Sequence, residues 1–338
     1  MRGTLVTLRI AFAVLWSVLH RIWHRLRFGP AVARWSWQVE LRMVAFRTFL
    51  DAARRSADPE ARSRIEDSLD PPLPRSLRKV FRRRSLDMGD VSVEKLERVA
   101  GGADPGLRPT LLYLHGGGYL AGSAATHRRW VARLAWATGA EAYVPDYRLA
   151  PEHQFPAALH DALAVYQGLL AEGLEPGRLF IAGDSAGGGL AAALLLLLRD
   201  TNEPLPAGGI LFSPYVDLEH TAKSLAQNQA TDYLPAGLIA AGANTLYLGD
   251  HNPRDPYASP MYGSYAGIPP LLLVAGDREM IRDDSIRLVG AATRDGCDAT
   301  LHIAPDMYHV WPALLPNHEE TRRVLALSSK FVRDLAGS

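Results

Sequence analysis

The chain has 338 residues, 48% of them apolar and 22% charged, with 37 Lys+Arg against 36 Asp+Glu and a single cysteine. This is a globular composition, and the length suits one large α/β domain with a smaller lid rather than two independent domains. One cysteine excludes an intrachain disulfide. No N-x-S/T acceptor, metal-ligand cluster, phosphate loop or dinucleotide fingerprint occurs, so neither cofactor nor metal is expected.

The net charge of +1 hides an asymmetry. Residues 1–84 hold 18 Lys+Arg and 7 Asp+Glu, a net of +11, which leaves −10 on residues 85–338. In this basic segment Leu5, Leu8, Phe12, Leu15, Leu19, Ile22 and Leu26 recur at spacings of three and four, one face of a long helix. Val6, Val14, Trp16 and Trp23 broaden the stripe, and Arg21, Arg25 and Arg27 close it. Arg9 interrupts the apolar run, which speaks against a secretory signal, and the uncharged stretch from Ile10 to His20 is too short to span a bilayer. The expectation is an amphipathic helix that packs on a lid, lies in a membrane interface through residues 1–28, or does both. A second apolar helix follows, with Trp35, Trp37, Leu41, Val44 and Phe49. Arg82-Arg83-Arg84 reads as a solvated linker before the first strand, and with no binding motif and an acidic second half no nucleic acid is expected.

From residue 91 strand-like and helical runs alternate. The strands are read at Val91–Val99, Thr110–Leu114, Glu141–Val144, Arg178–Ala182, Gly209–Phe212, Leu271–Ala275 and Ala299–Ile303, several of them continuously apolar as strands buried on both faces are. Helices are read at Ala157–Glu172, Leu190–Asp200 and Ser285–Arg294. The pattern predicts a mostly parallel, doubly wound α/β sheet with its site at the carboxyl ends of the strands.

Two glycine motifs follow strands. His115-Gly116-Gly117-Gly118 comes after the second, where consecutive glycines turn backbone N–H groups toward one point. Gly183-Asp184-Ser185-Ala186-Gly187 stands between an apolar strand and a helix, the setting a nucleophile elbow requires. Ser185 is the candidate nucleophile, and Gly117, Gly118 and Ala186 are the candidate oxyanion-hole donors. His115 is expected to orient its glycine loop. The segment 219–262 breaks the strand–helix alternation, and Leu234–Leu248 within it reads as helix.

A serine nucleophile needs a base, and in this arrangement histidine comes last. His302 lies in a strand pattern and His318 opens a charged helix, which leaves His309 in the loop between them. Cys297, in a helix-end turn, carries no nucleophile signature. Asp283 and Asp284 read as caps of the following helix.

Together these motifs resemble the hormone-sensitive-lipase-like carboxylesterases of the α/β-hydrolase superfamily. The resemblance also rests on Asp146-Tyr147-Arg148-Leu149-Ala150-Pro151-Glu152, Phe155-Pro156-Ala157-Ala158, Ser213-Pro214-Tyr215-Val216-Asp217-Leu218 and Met307-Tyr308-His309-Val310, and covers roughly residues 86–335. It implies an α/β-hydrolase fold with a helical cap. Residues 85–338 would be the catalytic domain, and the cap would be built from residues 1–84 and the insertion at about 219–262. It places the base at His309. Aligning Met280-Ile281-Arg282-Asp283 puts Glu279 at the acid position, with Asp277 as the alternative. An edge-to-edge homodimer near Asp298–Ile303 is implied by relatives.

The expected chemistry is hydrolysis of short to medium acyl esters through an acyl-serine intermediate. Tyr119, Leu120, Tyr215 and Val216 flank the motifs as candidate pocket residues. A lipid or lactone ester hydrolase at a membrane interface is the near alternative. A non-catalytic ligand receptor on the same scaffold is the distant one, disfavoured because such a protein should have lost a triad member. The expected location is cytoplasmic, peripheral at the membrane if the first helix docks there.

Overall fold

The computed structural model describes residues 2–55, 72–99, 108–234 and 242–336. Eight strands form one sheet among these residues: β1 (Phe81–Met88), β2 (Val91–Arg98), β3 (Thr110–Leu114), β4 (Glu141–Pro145), β5 (Leu179–Asp184), β6 (Gly208–Phe212), β7 (Leu271–Gly276) and β8 (Ala299–Ala304). Their spatial order is β1-β2-β4-β3-β5-β6-β7-β8. β1 pairs antiparallel with β2 and β2 with β4, and the six strands β4-β3-β5-β6-β7-β8 run parallel to one another. The longer helices are α1 (Arg2–Phe28), α2 (Trp37–Arg55), α3 (Ala124–Thr138), α4 (Ala157–Ala171), α5 (Ala186–Asp200), α6 (Arg282–Arg294) and α7 (Glu319–Ala336).

The central strands β3, β5, β6 and β7 are buried along their whole length. Each face of the sheet carries its own apolar cluster. One is built around α4 and α5, the other around α3 with Trp311, Val324 and Val332. This two-sided cover is why those strands read as unbroken apolar runs.

The first strand departs from expectation. Arg82-Arg83-Arg84 is no solvated linker but the middle of β1, and an inferred domain boundary after residue 84 falls inside that strand. A turn at Gly89, with φ +62°, folds β1 back on β2, and the arginines find partners there: Arg83 with Glu94 at 3.0 Å and Arg84 with Glu97 at 2.8 Å. Helix α3 was also missed by periodicity. Its ends carry the local signals: Ser123 and Thr126 form a capping box, and Gly139 ends the helix at φ +75°. Asp283 and Asp284 do not cap α6; their carboxylates accept from the N–H groups of Ser224 and of Val216 and Asp217.

Helix α1 lies on α2, joined by Arg21 and Arg25, which both reach the buried carboxylate of Glu40. Its apolar stripe faces outward: Phe12 is 69% exposed and Leu26 74%, with Leu15, Trp16, Leu19 and Trp23 exposed between them. The side chains of Leu5, Val6 and Leu8 lie outside those described. No helix among the described residues is long and apolar enough to cross a membrane. Helix α2 meets the sheet-bearing part of the chain directly. Arg47 donates to the carbonyls of Gln229 and Asp232, Phe46 packs edge-on against Tyr233, and Trp35 just before it packs edge-on against Tyr308. Of the helix expected at Leu234–Leu248, residues 235–241 lie outside the described residues and Gly242–Tyr247 is a short π-helical turn.

Candidate active site

Five parallel strands end on one edge of the sheet, and their loops carry His115, Ser185, Ser213, Glu279 and His309. The site begins at the turn between β5 and α5. Ser185 has φ +53° and ψ −122°, a conformation costing a non-glycine residue roughly 1–3 kcal/mol. Its surroundings hold it there. Ser185 N–H donates to Phe212 O at 2.9 Å, and its carbonyl accepts from Tyr215 and Gly189 at 2.9 and 3.0 Å. The flanking glycines are steric necessities. A Cβ on Gly183 would overlap the Gly187 carbonyl, and one on Gly187 would overlap the carbonyls of Leu114 and His115. Ser185 also stands at the N-terminus of α5, where the helix dipole favours developing negative charge.

His309 Nε2 lies 2.8 Å from Ser185 Oγ, although the two are 124 residues apart. Behind the ring, Nδ1 faces Glu279 Oε2 at 3.4 Å, an ion-pair distance rather than a close hydrogen bond. His309 and Glu279 are 1% and 0% exposed. With a carboxylate at Nδ1, the neutral ring carries its proton there and leaves Nε2 free to accept from the serine hydroxyl. Burial lowers the His309 pKa, but Glu279 and then Asp232 and Asp184 more than offset it, so the net shift is upward. Asp277 points elsewhere: its carboxylate lies 3.6 Å from Arg278 Nε and makes no contact with the imidazole.

The glycine turn after β3 is pinned to the elbow by Asp184. One carboxylate oxygen accepts from Gly116 N–H at 3.1 Å and Tyr113 OH at 2.7 Å; the other lies 3.4 Å from His127 Nε2. Burial raises the Asp184 pKa, yet His127, Tyr113 and His115 outweigh it and hold the group below the usual carboxylate range. Gly117 and Gly118 have φ +134° and +66°, and a Cβ on Gly117 would overlap the Ala121 carbonyl. None of the N–H groups of Gly117, Gly118 or Ala186 is engaged by a hydrogen bond among the described loops and caps. Free donors of this kind are what an oxyanion needs. His115 is buried and stacked on Tyr147 at 4.2 Å, and burial followed by the neighbouring His127 brings its pKa down to about 3, so it is a neutral support for its loop.

The candidate pocket residues are placed unequally. Tyr119 is buried and stacked on Tyr247 at 3.8 Å, Leu120 packs at the edge of the core, and Tyr215 bonds His220 through its hydroxyl. Val216 is fully enclosed in the core with its N–H held by Asp284. His302 is a β8 residue facing Glu320 at 3.3 Å, and His318 Nδ1 accepts from Glu320 N–H at the start of α7. Burial raises the Cys297 thiol to about 11, which suppresses the thiolate. Two clefts of about 470 and 510 Å³ lie along α1 and α2, and neither is lined by Ser185, Glu279 or His309. No group of three or more His, Cys, Asp or Glu among the described residues suits a metal ion.

Sequence reasoning missed several supporting residues. Ser213 Oγ accepts from Val310 N–H at 3.1 Å and so holds the loop that carries His309. Asn228 Nδ2 donates to the carbonyls of Glu279 and Asp277 at 2.9 and 3.1 Å. Ser213 and Asp184 stand inside motifs already singled out, but Asn228 and Asp232 lie in the insertion, where no spacing marks them.

A family profile described as the α/β-hydrolase fold matches residues 111–313. An acetyl-hydrolase of Streptomyces hygroscopicus is 42% identical over 228 residues, covering 68% of this chain and 76% of its own. An esterase of Acinetobacter venetianus is 35% identical over 226 residues, covering 67% and 75%. Among solved structures, an esterase from the bacterial hormone-sensitive lipase family superposes with TM-score 0.78 at 36% identity, over 90% of this chain and 99% of that one. The esterase EstE5, in a crystal soaked with p-nitrophenyl butyrate, superposes with TM-score 0.75 at 35% identity, over 88% and 99%.

Proposed function

The chain belongs to the α/β-hydrolase family, among its hormone-sensitive-lipase-like carboxylesterases, and from that footing we propose that Ser185, His309 and Glu279 hydrolyse short to medium acyl esters. It is a serine ester hydrolase, and the receptor alternative is not favoured by relatives named for ester hydrolysis. The observation that carries the triad reading is the 2.8 Å between Ser185 Oγ and His309 Nε2, with Glu279 buried behind the ring.

In this reading Ser185 Oγ attacks the ester carbonyl as His309 Nε2 takes its proton. Glu279 holds Nδ1–H and balances the imidazolium. The N–H groups of Gly117, Gly118 and Ala186 hold the oxyanion. The alcohol leaves with the proton from His309, and water then attacks the acyl-serine with His309 as base again. The acyl range is supported by the name of the Streptomyces relative and by the butyrate ester soaked into EstE5. The test is hydrolysis of a p-nitrophenyl series from C2 to C16. We expect a short-chain maximum and a loss on the order of 10⁴–10⁶-fold in kcat for Ser185→Ala. Undiminished hydrolysis by that variant would end the triad reading, and activity rising with chain length would move the substrate class to lipids.

A further part of the reading concerns α1. Six large apolar side chains exposed on one face, with Arg27 exposed at its end, suit a lipid interface, where tryptophan and arginine are favoured. We read α1 as a peripheral membrane contact, and α2 with the 219–234 segment as two facing parts of a cap. The exposed edge of β8, where Ile303 is 37% exposed, supports a homodimer by edge pairing, which sedimentation of the whole chain tests.

A further inference from the structure

Asp232 is wholly buried, yet it belongs to none of the motifs that mark the site. Its carboxylate has three N–H partners. Oδ1 accepts from Tyr233 at 2.7 Å and from His309 at 3.3 Å, and Oδ2 accepts from Met280 at 2.7 Å. Met280 directly follows Glu279. One side chain from the insertion therefore ties the loop of the acid to the loop of the base. A carboxylate taken out of water costs several kcal/mol unless its lone pairs are met, and here backbone donors meet them.

The surrounding bonds act in the same direction. Asp232 N–H donates to Asn228 O at 3.0 Å, and Asn228 Nδ2 in turn holds the Glu279 carbonyl. Thr231 Oγ1 donates to Arg278 O at 3.2 Å. On the outer side, Arg47 of α2 donates to the Asp232 carbonyl at 3.3 Å. The Tyr233 ring closes the arrangement against the imidazole, with centroids 5.9 Å apart.

We infer that Asp232 is a positioning residue that sets Glu279 and His309 relative to one another and places a second negative charge behind the imidazolium formed in acyl transfer. This rests on the triad reading above. The acidic groups that favour the His309 imidazolium are Glu279 from the β7 loop, Asp232 from the insertion and Asp184 at the end of β5. Burial raises the Asp232 pKa to about 6, so the group is charged through the range where the base works.

The test is Asp232→Asn, close in volume but with an NH₂ that cannot accept from a backbone N–H. On p-nitrophenyl butyrate we expect kcat to fall on the order of 10–100-fold with KM within about twofold, as for loss of an interaction made only in the transition state. The acid limb of kcat/KM should move to lower pH, because one of the three acidic groups is gone. Unchanged kcat, or a fall with the acid limb unmoved, overturns the inference and leaves Asp232 as packing. Should Asp232→Asn not fold, amide exchange in the unaltered chain decides: protection of Met280 and His309 at the level of β5 supports the bridge, and exchange at loop rates overturns it. Ser185→Ala, run alongside, separates the two levels. Hydrolysis that survives it breaks the triad reading, whereas Ser185-dependent hydrolysis indifferent to Asp232→Asn breaks only this inference.

Discussion

Helices α1 and α5 are both rich in apolar residues and end in opposite situations. Helix α5 is buried through nearly its whole length, from Ala186 to Leu198, while α1 turns Phe12, Leu15, Trp16, Leu19, Trp23 and Leu26 to the outside. The cause lies at their attachments. Helix α5 leaves the end of a central strand, and its first-turn glycines let it lie against β3 and the Pro214-Tyr215 backbone, since a Cβ on Gly187 or Gly189 would overlap those carbonyls. Helix α1 is fastened by Arg21 and Arg25 to Glu40, so its charged face is the one turned inward. Apolar content says that a helix needs a partner; the fixed points on either side decide which face receives one.

From that difference, changes at the edge which α5 anchors should be costly, and changes on the outer face of α1 should be silent in solution. After Ser185→Ala, the largest effect is expected for Glu279→Gln, a fall in kcat on the order of 10³–10⁴-fold, against no more than about threefold for Asp277→Asn. A larger loss for Asp277→Asn would reverse the assignment of the acid. The pH profile sharpens the same point. His309 must be neutral to act as base, and its pKa is raised, so kcat/KM should fall with decreasing pH through a value above the ordinary imidazole range near 6.5. In Glu279→Gln the residual activity should lose that limb toward lower pH.

The next effect is on stability. Leu194→Ala, in the enclosed middle of α5, should cost about 2–5 kcal/mol in denaturant unfolding, while Leu19→Ala on α1 should stay within about 0.5 kcal/mol. Comparable losses would mean that the outer face of α1 is covered in solution. The smallest effect on catalysis is expected for Trp16→Gln combined with Trp23→Gln, with kcat on a soluble short ester unchanged. The same double variant should lose salt-sensitive binding to anionic vesicles, as should deletion of residues 2–28. Absence of vesicle binding by the unaltered chain would retire the membrane reading.

Much of the fold was legible. Continuous apolar runs marked the central strands because burial on both faces leaves no polar alternation, and seven of the eight strands were read within two residues at either end. Where both faces were not buried, the reading weakened. The three consecutive arginines of β1 pass for a linker until Glu94 and Glu97 lie beside them. Helix α3 carries buried Arg128 among its apolar residues, which blurs its stripe, and only its caps announce it.

The site divides along the same line. Glycine sterics are local, so two short strings sufficed to nominate Ser185, Gly117, Gly118 and Ala186, and chain order narrowed the base to His309. Local sequence could not choose between Glu279 and Asp277, two residues apart on one loop, because the choice depends on which carboxylate the loop path turns toward a ring 30 residues later. Nor could it find Asp232, Asn228 or Ser213, whose partners are backbone N–H and C=O groups that every residue possesses. The sequence by itself determined the sheet from β2 onward, the tight turn at Ser185 and the acid-poor, basic first segment, since each follows from backbone sterics, burial or charge count within a short stretch. Only the tertiary structure decided the orientation of α1, the carboxylate that meets His309 and the buried Asp232 bridge, since each depends on distances between segments far apart in the chain.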